Sequence, residues 1–307
     1  VTSDLGPTGD LDLEGTVTWR ELLAESAARL AASGPEPDAA DREARWIIEE
    51  VTGAEGAELL LELDELATQR KVAKLDQLVG RRLAGEPIQL VLGHWAFRRL
   101  DLLVDGRVLI PRPETEQVVE VALAALDEVA AGADVRHPVV VDLGTGSGAI
   151  ALAIATERPR TQVWATDASA DALAVARANV AGIGMAGARV RLAQGDWWAA
   201  LPEDLAGALH LVVSNPPYIA AHEPLPASVV DWEPTGALVP GPTGLEAYER
   251  IIAEAPRWLA PGGALVLEIG AGQASEVVAL AEAADLVGVQ VGTDLAGLDR
   301  SVRAHRA

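Results

Sequence analysis

Apolar and polar positions fall into a helical rhythm near the start of the chain. Leu22, Leu23, Ala27 and Leu30 follow Thr18 at helical spacing, and Thr18 is a candidate N-cap. Ser33-Gly34-Pro35 breaks that helix, and Asp38 to Val51 forms a second with Trp46, Ile47 and Val51 on one face. Further helices are predicted from Glu55 to Leu63 and from Leu66 to Gly85, so residues 16–86 read as a small helical bundle. Residues 1–15, acidic and glycine-containing, read as a flexible tail. Over residues 87–112 the rhythm changes to alternation: Ile88, Leu90, Leu92, then Leu102, Val104, Val108 and Ile110 around Asp105-Gly106. That alternation predicts a β-hairpin connector. Pro113 and Glu114 then suit the first turn of a helix, where Glu116 also favours the positive end of the dipole.

From residue 113 to 307 short buried runs alternate with helical stretches, the pattern of an open α/β sheet. The run Val139-Val140-Val141-Asp142-Leu143 ends in Gly144-Thr145-Gly146-Ser147-Gly148, and an alanine-rich helical stretch follows from Ala149 to Thr156. Strand, glycine turn and helix together form a nucleotide-cofactor arrangement, with the ligand beyond the carboxyl ends of the strands. The spacing is G-x-G-x-G rather than the dinucleotide G-x-G-x-x-G, and no phosphate-loop lysine motif occurs. A second run from Gln162 to Thr166 ends in Asp167, where a carboxylate binds ribose hydroxyls. A third, Arg189 to Ala193, leads to Gly195-Asp196-Trp197, an acceptor for an adenine amine beside an indole to cover the ring. Each carboxylate taken alone is more often an N-cap or a solvated loop residue. Three successive strands ending this way favour an adenosyl cofactor.

A fourth run, Leu209 to Ser214, ends in Asn215-Pro216-Pro217-Tyr218. This tetrapeptide suits a flat NH2 group about to be alkylated. The nitrogen of an amide or aromatic amine is a poor nucleophile, because its lone pair is delocalised. The Asn215 side-chain oxygen and the Pro216 carbonyl can each accept one N–H, leaving the lone pair aimed outward. Pro216 and Pro217 stiffen the turn, and Tyr218 can lie against the planar group. The plain alternative is a strand end with a proline turn. The proline-rich stretch from Ile219 to Leu245 reads as a long active-site loop. A helix from Leu245 to Leu259 follows, then a buried strand over Ala264–Ile269 and last strands near Val287–Thr293 and Ser301–His305.

Together these motifs resemble the class I S-adenosylmethionine-dependent methyltransferases, in particular their amino-group subset. The narrower resemblance lies in Ile110-Pro111-Arg112-Pro113-Glu114-Thr115-Glu116, which is similar to the HemK/PrmC family of release-factor glutamine methyltransferases. Leu92 to Phe97, Glu233-Pro234, Ala237-Leu238, Gly244-Leu245, Asp294 to Gly297 and Asp299-Arg300 agree with it. The resemblance implies a Rossmann-like seven-stranded sheet over residues 113–307 behind an N-terminal helical domain that helps hold the substrate. It implies methyl transfer from S-adenosylmethionine to the glutamine amide in the Gly-Gly-Gln tripeptide of bacterial release factors, by a monomeric protein. On it, Asn215, Pro216, Pro217 and Tyr218 are the catalytic residues. Asp142, Leu143, Gly144, Thr145, Gly146, Asp167, Asp196, Trp197 and Asn215 bind the donor. Related enzymes modify a ribosomal-protein glutamine but differ at the I-P-R-P-E-T-E segment. Arg112 is a candidate contact to substrate or cofactor.

Charge changes the choice of substrate. With 24 Lys and Arg against 46 Asp and Glu, the formal charge is −22. That balance argues against a broad phosphate-binding surface, and so against adenine methylation in nucleic acid, where N-P-P-Y also occurs. A protein substrate with a basic face fits better. The chain has no cysteine, which excludes disulfides, thiolate metal sites and cysteine nucleophiles, and its five histidines show no metal-ligand spacing. No signal peptide and no long uncharged apolar run is seen, so a cytoplasmic, soluble protein is expected. A non-catalytic adaptor keeping the fold is the remaining alternative, disfavoured by the intact Asp142, Gly144, Gly146, Asp167 and Asn215.

Overall fold

Contacts divide the chain into two units between Gly93 and His94, in a computed structural model that describes residues 14–33 and 37–307. The tail expected over residues 1–15 therefore lies, up to residue 13, outside the described residues. In the first unit the elements are β1 (Glu14–Thr18), α1 (Trp19–Ala31), α2 (Pro37–Thr52), α3 (Gly56–Glu62), β2 (Leu66–Thr68), α4 (Gln69–Leu83) and α5 (Ile88–Leu92). Thr18 closes a capping box: its hydroxyl accepts from Glu21 N–H at 3.3 Å, and the Glu21 carboxylate accepts from Thr18 N–H at 2.9 Å. Leu22, Leu30, Ile47, Ile48, Leu75 and Val79 are buried in this unit, as the helical spacing implies.

Three expectations for this region change. Glu14 and Gly15 are not tail but strand, because β1 pairs antiparallel with β2, with Glu14 opposite Thr68 and Thr18 opposite Leu66. Leu66 to Thr68 accordingly precede α4, whose N-cap is Thr68, accepting from Lys71 N–H at 3.4 Å. The connector over residues 87–112 is not one hairpin. Ile88–Leu92 is a helical turn stopped by Gly93 at φ +82°, and a five-residue apolar run cannot distinguish one helical turn from a strand. The hairpin itself is β3 (His94–Phe97) with β4 (Leu100–Leu103). Its turn lies at Arg98-Arg99, with Arg98 at φ +55°, and not at Asp105-Gly106. Arg98 holds that turn by donating to Glu157 and Glu120.

The second unit continues with α6 (Pro113–Gly132), β5 (Val139–Leu143), α7 (Ala149–Glu157), β6 (Gln162–Asp167), α8 (Ala170–Gly182) and β7 (Val190–Gln194). There follow β8 (Leu209–Ser214), α9 (Ala227–Val230), α10 (Glu246–Trp258), β9 (Leu259–Glu268), α11 (Ala274–Ala283), β10 (Leu286–Thr293) and β11 (Asp299–Arg306). The seven-stranded sheet runs β10-β11-β9-β8-β5-β6-β7. Its core pairs are parallel, while β11 runs antiparallel to both β9 and β10. Alternate residues explain why both faces are covered. Val140, Leu211, Val213 and Val266 share one buried cluster with α6 and α7, while Val141, Val212, Leu265 and Leu267 share another with α10 and α11. Among the described residues no helix is long and apolar enough to cross a membrane.

Candidate active site

The order of strands in the sheet places the site. Successive strands run outward from β5 in one direction through β6 to β7, and in the other through β8 to β9. The crevice of such a sheet opens where the order reverses, beyond the carboxyl ends of the two strands that diverge. Those strands are β5 and β8, in register with Asp142 opposite Val213. Ser214 Oγ donates to the Leu143 carbonyl at 2.6 Å, so the glycine turn and the N-P-P-Y turn leave the sheet side by side.

The glycine turn is built for close approach. Gly144, Gly146 and Gly148 have φ of +72°, +56° and +88°, where side chains other than glycine are strained. Asp142, fully buried at the root of the turn, accepts from Thr145 Oγ1 at 2.6 Å and Ala151 N–H at 3.1 Å through Oδ2, while Oδ1 has no partner. Loss of water pushes its carboxyl up to about 7. Asp167 clamps the same turn, accepting from Gly146 N–H through Oδ2 and Ser169 N–H through Oδ1, both at 2.9 Å. Each Asp167 oxygen keeps a lone pair for a ribose hydroxyl. Trp197 sits at φ +50°, and a Cβ on Gly144 would meet its ring at 3.5 Å. The neighbouring Trp198 supplies the anchor, stacked on Trp258 with centroids 5.6 Å apart.

A cavity of about 500 Å³ opens here, lined by Gly144, Gly146, Asp167, Asp196, Trp197, Asn215 and Pro217 from among the sequence candidates. That volume lies in the range of small-molecule sites, about 300–1,000 Å³. The remaining candidates stand elsewhere. Asp142, Leu143 and Thr145 lie behind the turn as its support, and Pro216 is buried. Tyr218 is turned toward Gly270, where a Cβ would meet its ring at 3.3 Å, and burial raises its phenol above the usual range. Asp196 is at the cavity, but its carboxylate already accepts from Arg250 at 2.5 Å. Bare glycines at positive φ, the free lone pairs of Asp167 and the Trp197 indole at the cavity wall fit an adenosyl methyl donor.

Two further segments complete the walls. Arg107, Val108 and Leu109 face the cavity from one side, and Pro234, Gly236 and Ala237 from another. Glu233, with a side chain 2% exposed, ties them together: it pairs with Arg112 and accepts from Ile110 N–H at 2.9 Å. The Arg112 guanidinium is thus engaged within the protein. The long loop after Tyr218 is also folded back on itself, through Ile219 N–H to Leu238 O and Ala221 N–H to Gly241 O, each 3.0 Å.

Asn215 has a partner the motif did not reveal. Its Nδ2 donates to Thr115 Oγ1 at 3.2 Å, and that hydroxyl donates to Glu268 Oε2 at 2.6 Å. Thr115 begins α6 inside the I-P-R-P-E-T-E segment, and Glu268 ends β9. A carboxylate closing an otherwise apolar strand was the visible signal for Glu268. Nothing local linked it to residues so distant in the chain. Burial pushes the Glu268 carboxyl up to about 7.

The turn geometry gives a direct test. Gly144→Val forces a β-branched residue to φ +72° beside the Trp197 ring. In the free variant the turn is expected to relax away from this conformation, so that restoring it on binding costs about 1–3 kcal/mol and weakens donor binding roughly ten- to hundredfold, measurable by calorimetry on the purified variant. Unchanged affinity would remove the turn from the donor site.

Comparisons with known proteins bear on the family and the fold. Residues 21–93 match the family model of the PrmC N-terminal domain, and residues 122–230 that of the methyltransferase small domain. A release factor glutamine methyltransferase of Cereibacter sphaeroides is 41% identical, covering 93% of this chain and 97% of its own. One from Burkholderia pseudomallei is 43% identical, over 90% of this chain and 94% of that protein. Among solved structures, a methyltransferase from Pyrococcus furiosus shares the fold with a TM-score of 0.51 at 18% identity, covering 76% of this chain and 99% of that one.

Proposed function

The chain belongs to the release factor glutamine methyltransferase family, and on that premise we propose that it methylates the side-chain amide nitrogen of the glutamine in the Gly-Gly-Gln tripeptide of bacterial peptide-chain release factors. The observation that carries this reading is the Asn215 amide at the cavity wall beside the glycine turn, its Nδ2 held from behind by Thr115.

S-adenosylmethionine, when bound, supplies an electrophilic methyl group on a positively charged sulfur, so the donor carries its own leaving group. Gly144 and Gly146 would let the backbone approach it, Asp167 would accept from its ribose hydroxyls, and Trp197 would lie against its adenine. The protein's task at the reacting nitrogen is orientation. Asn215 Oδ1 accepts one amide N–H, and the carbonyl of Pro216, whose ring is buried behind the cavity wall, is the expected acceptor of the other. With both protons held in the amide plane, the nitrogen presents its face to the methyl group. The nitrogen releases its proton to water after transfer, since among the described residues no histidine lines this cavity to take it earlier. Tyr218 buttresses the turn from the Gly270 side. The acidic surface favours a substrate with a basic face, and the N-terminal unit helps hold the release factor.

Mass spectrometry of a release factor incubated with the protein and S-adenosylmethionine tests the assignment. We expect one added methyl group on the Gly-Gly-Gln glutamine, absent when that glutamine is replaced by alanine. No gain on a folded, unmodified release factor would overturn it. Methylation of a ribosomal-protein glutamine or of adenine in nucleic acid, found in parallel reactions, would name the replacement.

A further inference from the structure

We propose that Thr115 and Glu268 are positioning residues that select the orientation of the Asn215 amide, keeping its oxygen toward the substrate. This rests on the reading that Asn215 accepts a substrate N–H.

The argument turns on the single proton of a threonine hydroxyl. An ionised carboxylate only accepts hydrogen bonds, so Thr115 must give its one proton to Glu268, 2.6 Å away. Toward Asn215, at 3.2 Å, the same oxygen can then only accept. The atom facing it is therefore Nδ2, and Oδ1 falls on the opposite branch of the amide. Among the described residues no N–H or O–H donates to that oxygen, and Asn215 forms part of the cavity wall. An amide turned the other way would set its own NH2 against the N–H of the substrate and its oxygen against the Thr115 lone pairs. Without a second group behind Thr115, a hydroxyl alone could satisfy either orientation, because it can donate as readily as accept. Glu268 removes that freedom.

Burial makes the choice conditional on pH. Glu268 is 1% exposed, and no cation makes a hydrogen bond to its carboxylate among the described residues. Around it stand Arg300 of β11, Arg112 just before α6 and Glu114 within α6, with the phenols of Tyr218 and Tyr248. Desolvation holds the carboxyl at about 7, with Glu114 adding to it, against the Thr115 hydroxyl and the two arginines, which favour the anion. Arg300 is itself engaged by Asp294 at 3.1 Å. Once protonated, Glu268 can donate to Thr115, whose own proton then turns toward Asn215 and selects the reversed amide. Turnover should therefore fall as pH falls through about 7.

The experiment pairs kinetics with a readout that needs no turnover. Methyl transfer to a release factor is measured for wild type, Thr115→Val, Thr115→Ser and Glu268→Gln across pH, alongside donor affinity. Exchange of the Asn215 side-chain NH2 protons is followed by nitrogen-resolved NMR on the protein without substrate. For Thr115→Val we expect kcat to drop about tenfold, the effect of one lost hydrogen bond, with donor affinity unchanged and NH2 exchange accelerated. Thr115→Ser, which keeps the hydroxyl, should restore both. Glu268→Gln should lose the fall in kcat near pH 7. Wild-type kcat in Thr115→Val, or equal NH2 exchange in all variants, overturns the proposal. If the wild-type protein methylates no release factor while its Asn215 NH2 is protected by Thr115, the substrate assignment fails and the orienting chain stands.

Discussion

Replacing Asn215 with alanine is expected to lower kcat by roughly 100- to 1,000-fold, the cost of deleting one preorganised hydrogen-bonding group aimed at the reacting atom. Two features make the effect large. The amide stands at the cavity wall beside Gly144, where no other side-chain carbonyl replaces its oxygen. It is also fixed from behind by Thr115, so its orientation costs little at the moment of reaction. The substitution should spare the fold, since β8 ends at Ser214, whose Oγ keeps its bond to the Leu143 carbonyl. Donor affinity should likewise change less than kcat, because Gly144, Asp167 and Trp197 are untouched. Single-turnover methyl transfer with saturating donor is the measurement. Near-normal turnover would refute the role given to Asn215.

The second large effect is on stability, and it follows from the two buried carboxyls at the sheet's carboxyl edge. Burial raises both Asp142 and Glu268 to about 7 in the folded protein, against unfolded values near 4. A carboxyl raised on folding binds its proton more tightly in the native state. Its contribution to stability is therefore complete below the unfolded value and is lost as pH rises through the folded one. Carboxylates held low by their partners, such as Glu157 beside Arg98 and Asp294 with its backbone donors, act in the opposite sense, but they titrate below the ordinary carboxylate range. Between about pH 5.5 and 7 each raised group has a slope approaching 1.4 kcal/mol per pH unit, or about 2 kcal/mol over that window. Together they outweigh the single half-buried His210, whose pKa burial lowers and which acts in the opposite sense there. Urea unfolding should show the protein more stable at the acid end. Asp142→Asn combined with Glu268→Gln should flatten the profile by a few kcal/mol. A double variant with the wild-type pH dependence would show that neither carboxyl is desolvated as described.

Sequence alone went far here because the candidate site is built from short contiguous motifs. A β-branched run followed by G-x-G-x-G can hardly fold otherwise than as strand, positive-φ turn and helix, and Gly144, Gly146 and Gly148 all take that conformation. Thr18 was legible as an N-cap and Pro113 as the start of α6, while the reciprocal bond from Glu21 came from the structure. The periodicity failed where segments were too short to show one. Ile88–Leu92 is one helical turn rather than a strand, and Glu14–Thr18 is a strand whose bonds are main-chain to main-chain with Leu66–Thr68. Neither carries a side-chain pattern long enough to decide.

What the sequence determined, then, was where the candidate site lies: at the glycine turn, the acidic strand ends and the amide before two prolines. Each of those signals lies within one strand and the turn that leaves it, where local sterics and hydrogen bonding suffice. Only the tertiary structure decided what stands behind them. Strand order brought β8 beside β5 and so set Asn215 next to Gly144. Packing of α6 against β9 placed Thr115 between Asn215 and Glu268, and Glu233 took up Arg112. Those contacts join residues a hundred or more positions apart. Long-range pairing is fixed by how the sheet buries both its faces, and no local pattern records it.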